Sequence, residues 1–275
     1  MFNLKNRIAK KWIKHTKSMI DYKFDVLYKH QMIIRPHYAY CMLNAAKLAI
    51  RLGHKKLSVI EFGVAGGNGL LAAEYLASKI EQHLDSAIEF EIYGFDTGEG
   101  LPEPEGKEDL PYWFEAKQYK MDVEKLKSRL TRAKLILGNV RDTAPDFFKN
   151  NNPAPVGALF YDMDYHSSTR DCFKLFDEPE IDKFYLPRLY LYMDDVIGMD
   201  IEMYGEFNGQ LLAIKEFNQR SDGIKIHLNQ NLLARNDFDS KYQIYYAHLF
   251  NHVQYSTFVG GEEKEISQAR LKLHQ

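Results

Sequence analysis

The stretch Val59 to Ala77, VIEFGVAGGNGLLAAEYLA, limits the fold more than any other part of the chain. A β-branched and aromatic apolar segment runs into Glu61, a glycine cluster follows, and Leu70, Leu71, Tyr75 and Leu76 then recur at helical spacing. A strand, a tight turn and a helix in that order form the unit from which parallel α/β sheets are wound. Ligands bind such sheets beyond the carboxyl ends of the strands, so Glu61 is expected to face a binding crevice.

Glu61, Gly63 and Gly67 form an acidic-x-Gly-x-x-x-Gly pattern whose glycines let the backbone pass close beneath a ligand. The acid can accept a bond from a hydroxyl or an amine. Three readings share these letters: a site for adenosylmethionine, a dinucleotide site through Gly67-Asn68-Gly69-Leu70-Leu71-Ala72 (G-x-G-x-x-A), and a turn that is merely tight. A dinucleotide turn normally places its first glycine directly after the strand, whereas here about four residues intervene.

Further strands are predicted over 88–96, 134–137, 156–161, 186–193, 224–228 and 242–250, with helices over 34–53, 123–130, from Asp142 to Phe148 and over 207–219. The fold class is therefore α/β, a Rossmann-like doubly wound sheet. The chain divides into an N-terminal helical extension (1–54), the α/β domain (55–259) and a polar tail (260–275). Asp96 ends the second strand, where a carboxylate reads a ribose diol. The segment 97–121 is too long for a simple connection and reads as a lid, with Tyr112, Trp113 and Phe114 placed to close over a ligand. Asn139, after the third strand, stands where an adenine edge could be read.

Two later strands end in acids, Asp162-Met163-Asp164 and Asp194-Asp195. If the strands are neighbours, four carboxylates meet, and mutual repulsion calls for a cation. All-oxygen ligands suit magnesium, manganese or calcium better than zinc.

The net charge of −2 offers no field to gather nucleic acid, and two distant cysteines give neither a disulfide framework nor a zinc site. No window reaches the length of a membrane span and no secretory pattern opens the chain, so a cytoplasmic protein is the default expectation. Residues 1–18 carry Lys5, Arg7, Lys10, Lys11, Lys14 and Lys17 among apolar residues. This basic amphipathic helix is suited to packing on its own domain, on a second subunit as a homo-oligomer contact, or on a membrane surface.

The order of motifs resembles class I adenosylmethionine-dependent methyltransferases, and among them the macrocin O-methyltransferase family. The resemblance rests on E-F-G-V-x-x-G (Glu61 to Gly67), G-F-D-T-x-E-G-L-P (Gly94 to Pro102), D-x-D-x-x-x-S-T (Asp162 to Thr169), the Asp194-Asp195 pair and a weaker G-x-x-x-D-T-x-P from Gly138. It implies a seven-stranded, mostly parallel sheet with the last strand antiparallel. It also implies S-adenosyl-L-methionine at Glu61, Gly63, Gly67, Asn68, Asp96, Thr97, Asn139 and Asp162, and a divalent cation, usually Mg2+, on Asp162, Asp194 and Asp195. Asp164 would be the general base, with His166, which replaces the family's tyrosine, as a second candidate. Gly98 and Gly66 also depart from the family's pattern, on the acceptor side.

The expected activity is O-methylation of a hydroxyl on a small molecule, a sugar or glycoside. Two alternatives are a metal-dependent nucleotide-sugar enzyme and a non-catalytic binding protein that keeps the nucleotide-binding fold.

Overall fold

The computed structural model describes residues 9–14, 23–261, 267–268 and 271. Seven strands form one sheet: β1 Lys56–Phe62, β2 Glu89–Asp96, β3 Lys134–Leu137, β4 Val156–Tyr161, β5 Tyr185–Met193, β6 Ile224–Leu228 and β7 Ile244–Leu249. Their spatial order is β3-β2-β1-β4-β5-β7-β6. All neighbouring pairs are parallel except those of β7, which runs antiparallel to both β5 and β6. This is the doubly wound, Rossmann-like sheet that the order of strands and helices predicts, with the antiparallel last strand that the resemblance implies.

The chain starts at the middle of the sheet, winds outward to β3, and returns to lay β4 on the other side of β1. That reversal opens a crevice at the carboxyl ends of β1 and β4. Every residue of β4 and all but the first of β1 are buried, because helices cover both faces.

Helix α1 (Pro36–Arg51) starts at a proline, whose missing N–H costs nothing in a first turn, and buries nine of its residues. Tyr38, Met42, Ala45 and Ala49 belong to the same core as β1, β4 and β5. The boundary drawn at residue 54 thus separates a helix from the sheet it packs on. Helix α2 (Asn68–His83) buries Leu70 and Leu76 as its periodicity requires, but Tyr75 stays 45% exposed. The helix expected from Asp142 to Phe148 is two short pieces, Val140–Thr143 and Phe147–Asn151, separated where Pro145 lacks an N–H to continue the ladder. In the basic N-terminal segment only residues 9–14 are described; they are helical, with Ile13 buried. Residues 1–8, 15–18 and most of the tail from Gly260 lie outside the described residues. Among those described, no helix is long and apolar enough to cross a membrane.

Register sets the site. Phe62 pairs with Phe95 on one side and Tyr161 on the other, and Tyr161 pairs with Met193. The next residue of each strand therefore falls in one row: Gly63, Asp96, Asp162 and Asp194. Gly63 has φ +81, and a Cβ there would lie 1.7 Å from the Asp162 carbonyl oxygen. Gly63→Ala should accordingly force the ends of β1 and β4 apart and lower stability by about 2–3 kcal/mol, read as a lower urea midpoint. An unchanged midpoint would show that the two strand ends can yield.

Candidate active site

One cavity of about 530 Å³ covers this row, a size suited to a cofactor or small substrate. Gly63, Asp96, Thr97, Asn139, Asp162, Asp164, Asp194 and Asp195 line it, together with Phe95. Glu61, Gly67, Asn68 and His166 do not reach its wall. Six acidic residues line it, counting Asp96 and Glu202 with the four aspartates, and among the described residues no lysine, arginine or histidine does.

The aspartates of β4 and β5 offer the tightest cluster. One oxygen each from Asp162, Asp194 and Asp195 lies within 4.8 Å of the others, compatible with one shared cation. Hydrogen bonds hold two of these side chains in place. Asp195 Oδ2 accepts the N–H groups of Met163 and Asp164 at 3.0 and 2.9 Å and the Gln210 side-chain amide at 2.9 Å, which leaves Oδ1 without such duty. Asp194 Oδ1 accepts the Tyr192 hydroxyl, and its carbonyl accepts the Gln243 amide at 2.9 Å. Asp164 holds φ +60, a left-handed conformation that aspartate tolerates better than most residues.

Charge makes this arrangement costly without a counter-ion. Burial, and then the charge of Asp194, pushes Asp164 up to about 7. Asp162 is held well above the usual carboxylate range by burial, then by Asp194, Asp164 and Glu61, with Arg35 opposing. Asp195 is also raised, by burial and the three other aspartates, although its backbone donors favour the charged form.

The β1 turn meets this cluster from the other side. Glu61 is 2% exposed; its Oε1 accepts the Tyr38 hydroxyl at 2.7 Å, while Oε2 is buried with no partner. Burial raises its pKa to about 7, against the Tyr38 hydrogen bond. A Cβ on Gly69 would lie 1.7 Å from Glu61 Oε1, so the glycine read as part of a dinucleotide pattern instead makes room for this carboxylate under the first turn of α2. Asp96 ties the β1 turn to β2: Oδ2 accepts the N–H groups of Val64 and Ala65 at 2.9 and 2.8 Å, and Oδ1 that of Gly98 at 2.7 Å. Asn139 caps its helix, accepting Arg141 N–H at 2.9 Å. Thr97 donates to the Gly100 carbonyl at 2.7 Å.

His166 is buried, and its Nε2 lies 2.8 Å from Glu216 Oε2, fifty residues along the chain. That partnership joins helix α3 (His166–Cys172) to helix α4 (Gly209–Arg220), and His166 is not among the residues lining the cavity. Of Asp164 and His166, only Asp164 lines the cavity.

Two loops wall the mouth. In segment 97–121 only Phe114 of the expected aromatic trio lines the cavity, joined by Tyr119; Tyr112 is 59% exposed and donates to the Glu202 carbonyl at 2.6 Å. This loop is anchored by Asp109, 1% exposed, which accepts from Ser167 N–H and Oγ at 2.8 and 2.7 Å and from Glu105 N–H at 2.8 Å. Asp109→Ala would strand those donors and should cost about 2–4 kcal/mol, with new protease cleavage confined to 100–118. Cleavage spread over the whole chain would instead indicate global loss of the fold.

The second wall, Ile197, Gly198, Met199, Glu202 and Tyr204, is absent from the sequence reading. Its signal was the run of large apolar residues where a loop is expected to be polar: Ile197, Met199, Ile201 and Met203 are 49 to 72% exposed.

Neither a protein-family model nor a curated protein matches the chain. Among solved structures, the calicheamicin methyltransferase CalS11 is similar over 88% of this chain and 91% of its own, with 16% identity and a TM-score of 0.49. The O-methyltransferase NovP is similar over 78% and 79%, with 14% identity and a TM-score of 0.49. TomG from Streptomyces achromogenes, an O-methyltransferase involved in tomaymycin synthesis, is similar over 86% and 94%, with 11% identity and a TM-score of 0.42. The strand order above, and not likeness this distant, establishes the fold.

Proposed function

We propose that the chain is an S-adenosyl-L-methionine-dependent O-methyltransferase. It acts on a hydroxyl of a small molecule, a sugar or glycoside, with Mg2+ or another divalent cation at Asp162, Asp194 and Asp195. The observation that carries this reading is the convergence of three metal-competent aspartates and the β1 glycine turn on one cavity lined, among the described residues, by six acidic residues and no lysine, arginine or histidine. Such a wall attracts a sulfonium donor and a divalent cation and repels the diphosphate of a dinucleotide.

The residues fit both groups. Glu61, behind the cavity wall, keeps Oε2 as a buried acceptor in want of a donor, which a methionine ammonium or a hydroxyl would supply once the β1 turn yields to it on binding. Asp96 has lone pairs left for a ribose diol, and Asn139 stands at the cavity wall for an adenine edge. Three carboxylate oxygens form a hard donor set. When bound, adenosylmethionine supplies a methyl carbon made electrophilic by its sulfonium, and a divalent cation supplies positive charge that lowers the pKa of a hydroxyl beside it.

Asp164 takes the acceptor's proton, and its burial favours proton uptake by raising the carboxyl above the ordinary carboxylate range. With adenosylmethionine bound, its methyl carbon would pass to the acceptor oxygen as the carbon–sulfur bond breaks, giving a neutral thioether and a methyl ether. The loops at 97–121 and 197–204 hold the acceptor in line and exclude water.

The test is release of demethylated donor during incubation with a panel of sugars and glycosides, with and without chelator. Acceptor-dependent release that chelator suppresses supports the reading. Binding of NAD but not of adenosylmethionine would replace it with the nucleotide-binding alternative.

A further inference from the structure

About five residues before the end of β5, roughly 17 Å along the strand from the acidic row, lies a second hollow of about 440 Å³ with the opposite electrical character. Arg188 and Tyr190 of β5 stand directly opposite His248 and Tyr246 of β7, so all four side chains rise from one face of the sheet. Lys47 and Arg51, one turn apart on α1, project over them. Among the described residues no carboxylate lines this hollow, in a chain whose net charge is −2.

Arg188 shows what is wanting. Its Nη1 donates to the Tyr255 carbonyl at 3.3 Å, but its Nη2 is buried and has no hydrogen-bond partner. Removing a guanidinium nitrogen from water without an acceptor is costly, and a phosphate oxygen is the acceptor to which an arginine fork is best matched. Tyr255 also holds His248, its hydroxyl 2.7 Å from Nδ1, which keeps that imidazole on the rim. The rest of the wall offers neutral hydrogen-bonding groups, Asn44, Asn231 and the two tyrosines, suited to a hydroxylated body.

We propose that this hollow is a second ligand site, binding a phosphomonoester of sugar-phosphate size with its phosphate seated among Arg188, Lys47 and Arg51. The two cavities then divide the protein's charge, one gathering cations and the other an anion.

Glucose 6-phosphate in metal-free buffer is the probe, because without a cation the six carboxylates of the first cavity repel it. Calorimetry should show saturable 1:1 binding, with glucose at least about tenfold weaker, and amide shifts confined to 44–51, 188–190 and 246–248. Arg188→Gln should lose about tenfold in affinity. If that variant melts early, the exposed pair Lys47→Gln with Arg51→Gln carries the same expectation, and Asp162→Asn should leave the affinity unchanged. Non-saturable binding, equal binding of glucose, or affinity indifferent to the Lys47 and Arg51 changes would overturn the proposal.

Discussion

Replacing Asp162 by asparagine raises the melting temperature in chelator, removes the further rise that magnesium gives the parent chain, and slows methyl transfer by about a hundredfold or more. Asp162 is the cleanest member of the cluster to change, because its side chain has no hydrogen bond among the described residues. Its pKa is raised by burial and by Asp194, Asp164 and Glu61, so its charge opposes folding until a cation offsets it. Removing one negative charge relieves three neighbours at once, which is why the chelated variant gains stability while it loses activity. Thermal melts with and without magnesium, beside an assay of demethylated donor, read both effects. A variant that melts lower in chelator and still responds to magnesium would assign the aspartates a structural role.

Glu61→Gln should act in the same opposed way on the donor side. A carboxyl whose pKa is higher in the folded than in the unfolded chain binds its proton more tightly when native. It therefore adds stability below the unfolded value and removes it as the pH climbs through the folded one. Glu61 moves from an ordinary 4.5 to about 7, so at pH 8 its charge opposes folding by about 3 kcal/mol.

Glutamine keeps an oxygen for Tyr38 but brings an unpartnered amide, leaving a net gain of about 1–2 kcal/mol, or a rise of roughly 2–6 °C in melting temperature. Donor affinity should fall about tenfold or more with the loss of a charge-assisted bond. In chelator the parent chain should lose about 1–2 kcal/mol between pH 6.5 and 8 as Glu61 and Asp164 ionise, and the variant about half of that. Below pH 6.5 the gain on acidification continues but is partly offset, because burial lowers His37 to about 3, and protonating it in the unfolded chain opposes the two carboxyls. A parent chain whose stability rises steadily from pH 6.5 to 8 would remove Glu61 and Asp164 from this account.

The residues that were legible in the sequence are those whose position follows from periodicity. A parallel strand that ends in an acid delivers it to the same edge as its neighbours, so Asp96, Asp162 and Asp194 could be placed in one row from strand ends alone. What depended on packing between distant segments could not be read. Tyr38 reaches Glu61 across 23 residues, His166 finds Glu216 across 50, and Asp109 ties down the lid through Ser167 across 58. The same applies to Gly69, which fits a phosphate-binding pattern by spelling and serves here as the gap that admits a carboxylate. The apolar wall from Ile197 to Tyr204 alternates with period two yet forms no strand, and only the chain's course after Asp195 brings it over the cavity.

The central claim is that donor and cation share one hollow, with Asp162 between them. Manganese supplied to the protein bound to adenosylmethionine carrying a 13C-labelled methyl tests this most directly, since a paramagnetic ion broadens only nuclei close to it. The account predicts that stoichiometric manganese broadens the methyl resonance beyond detection and that Asp162→Asn restores it. A bound methyl that stays sharp at saturating manganese would contradict it.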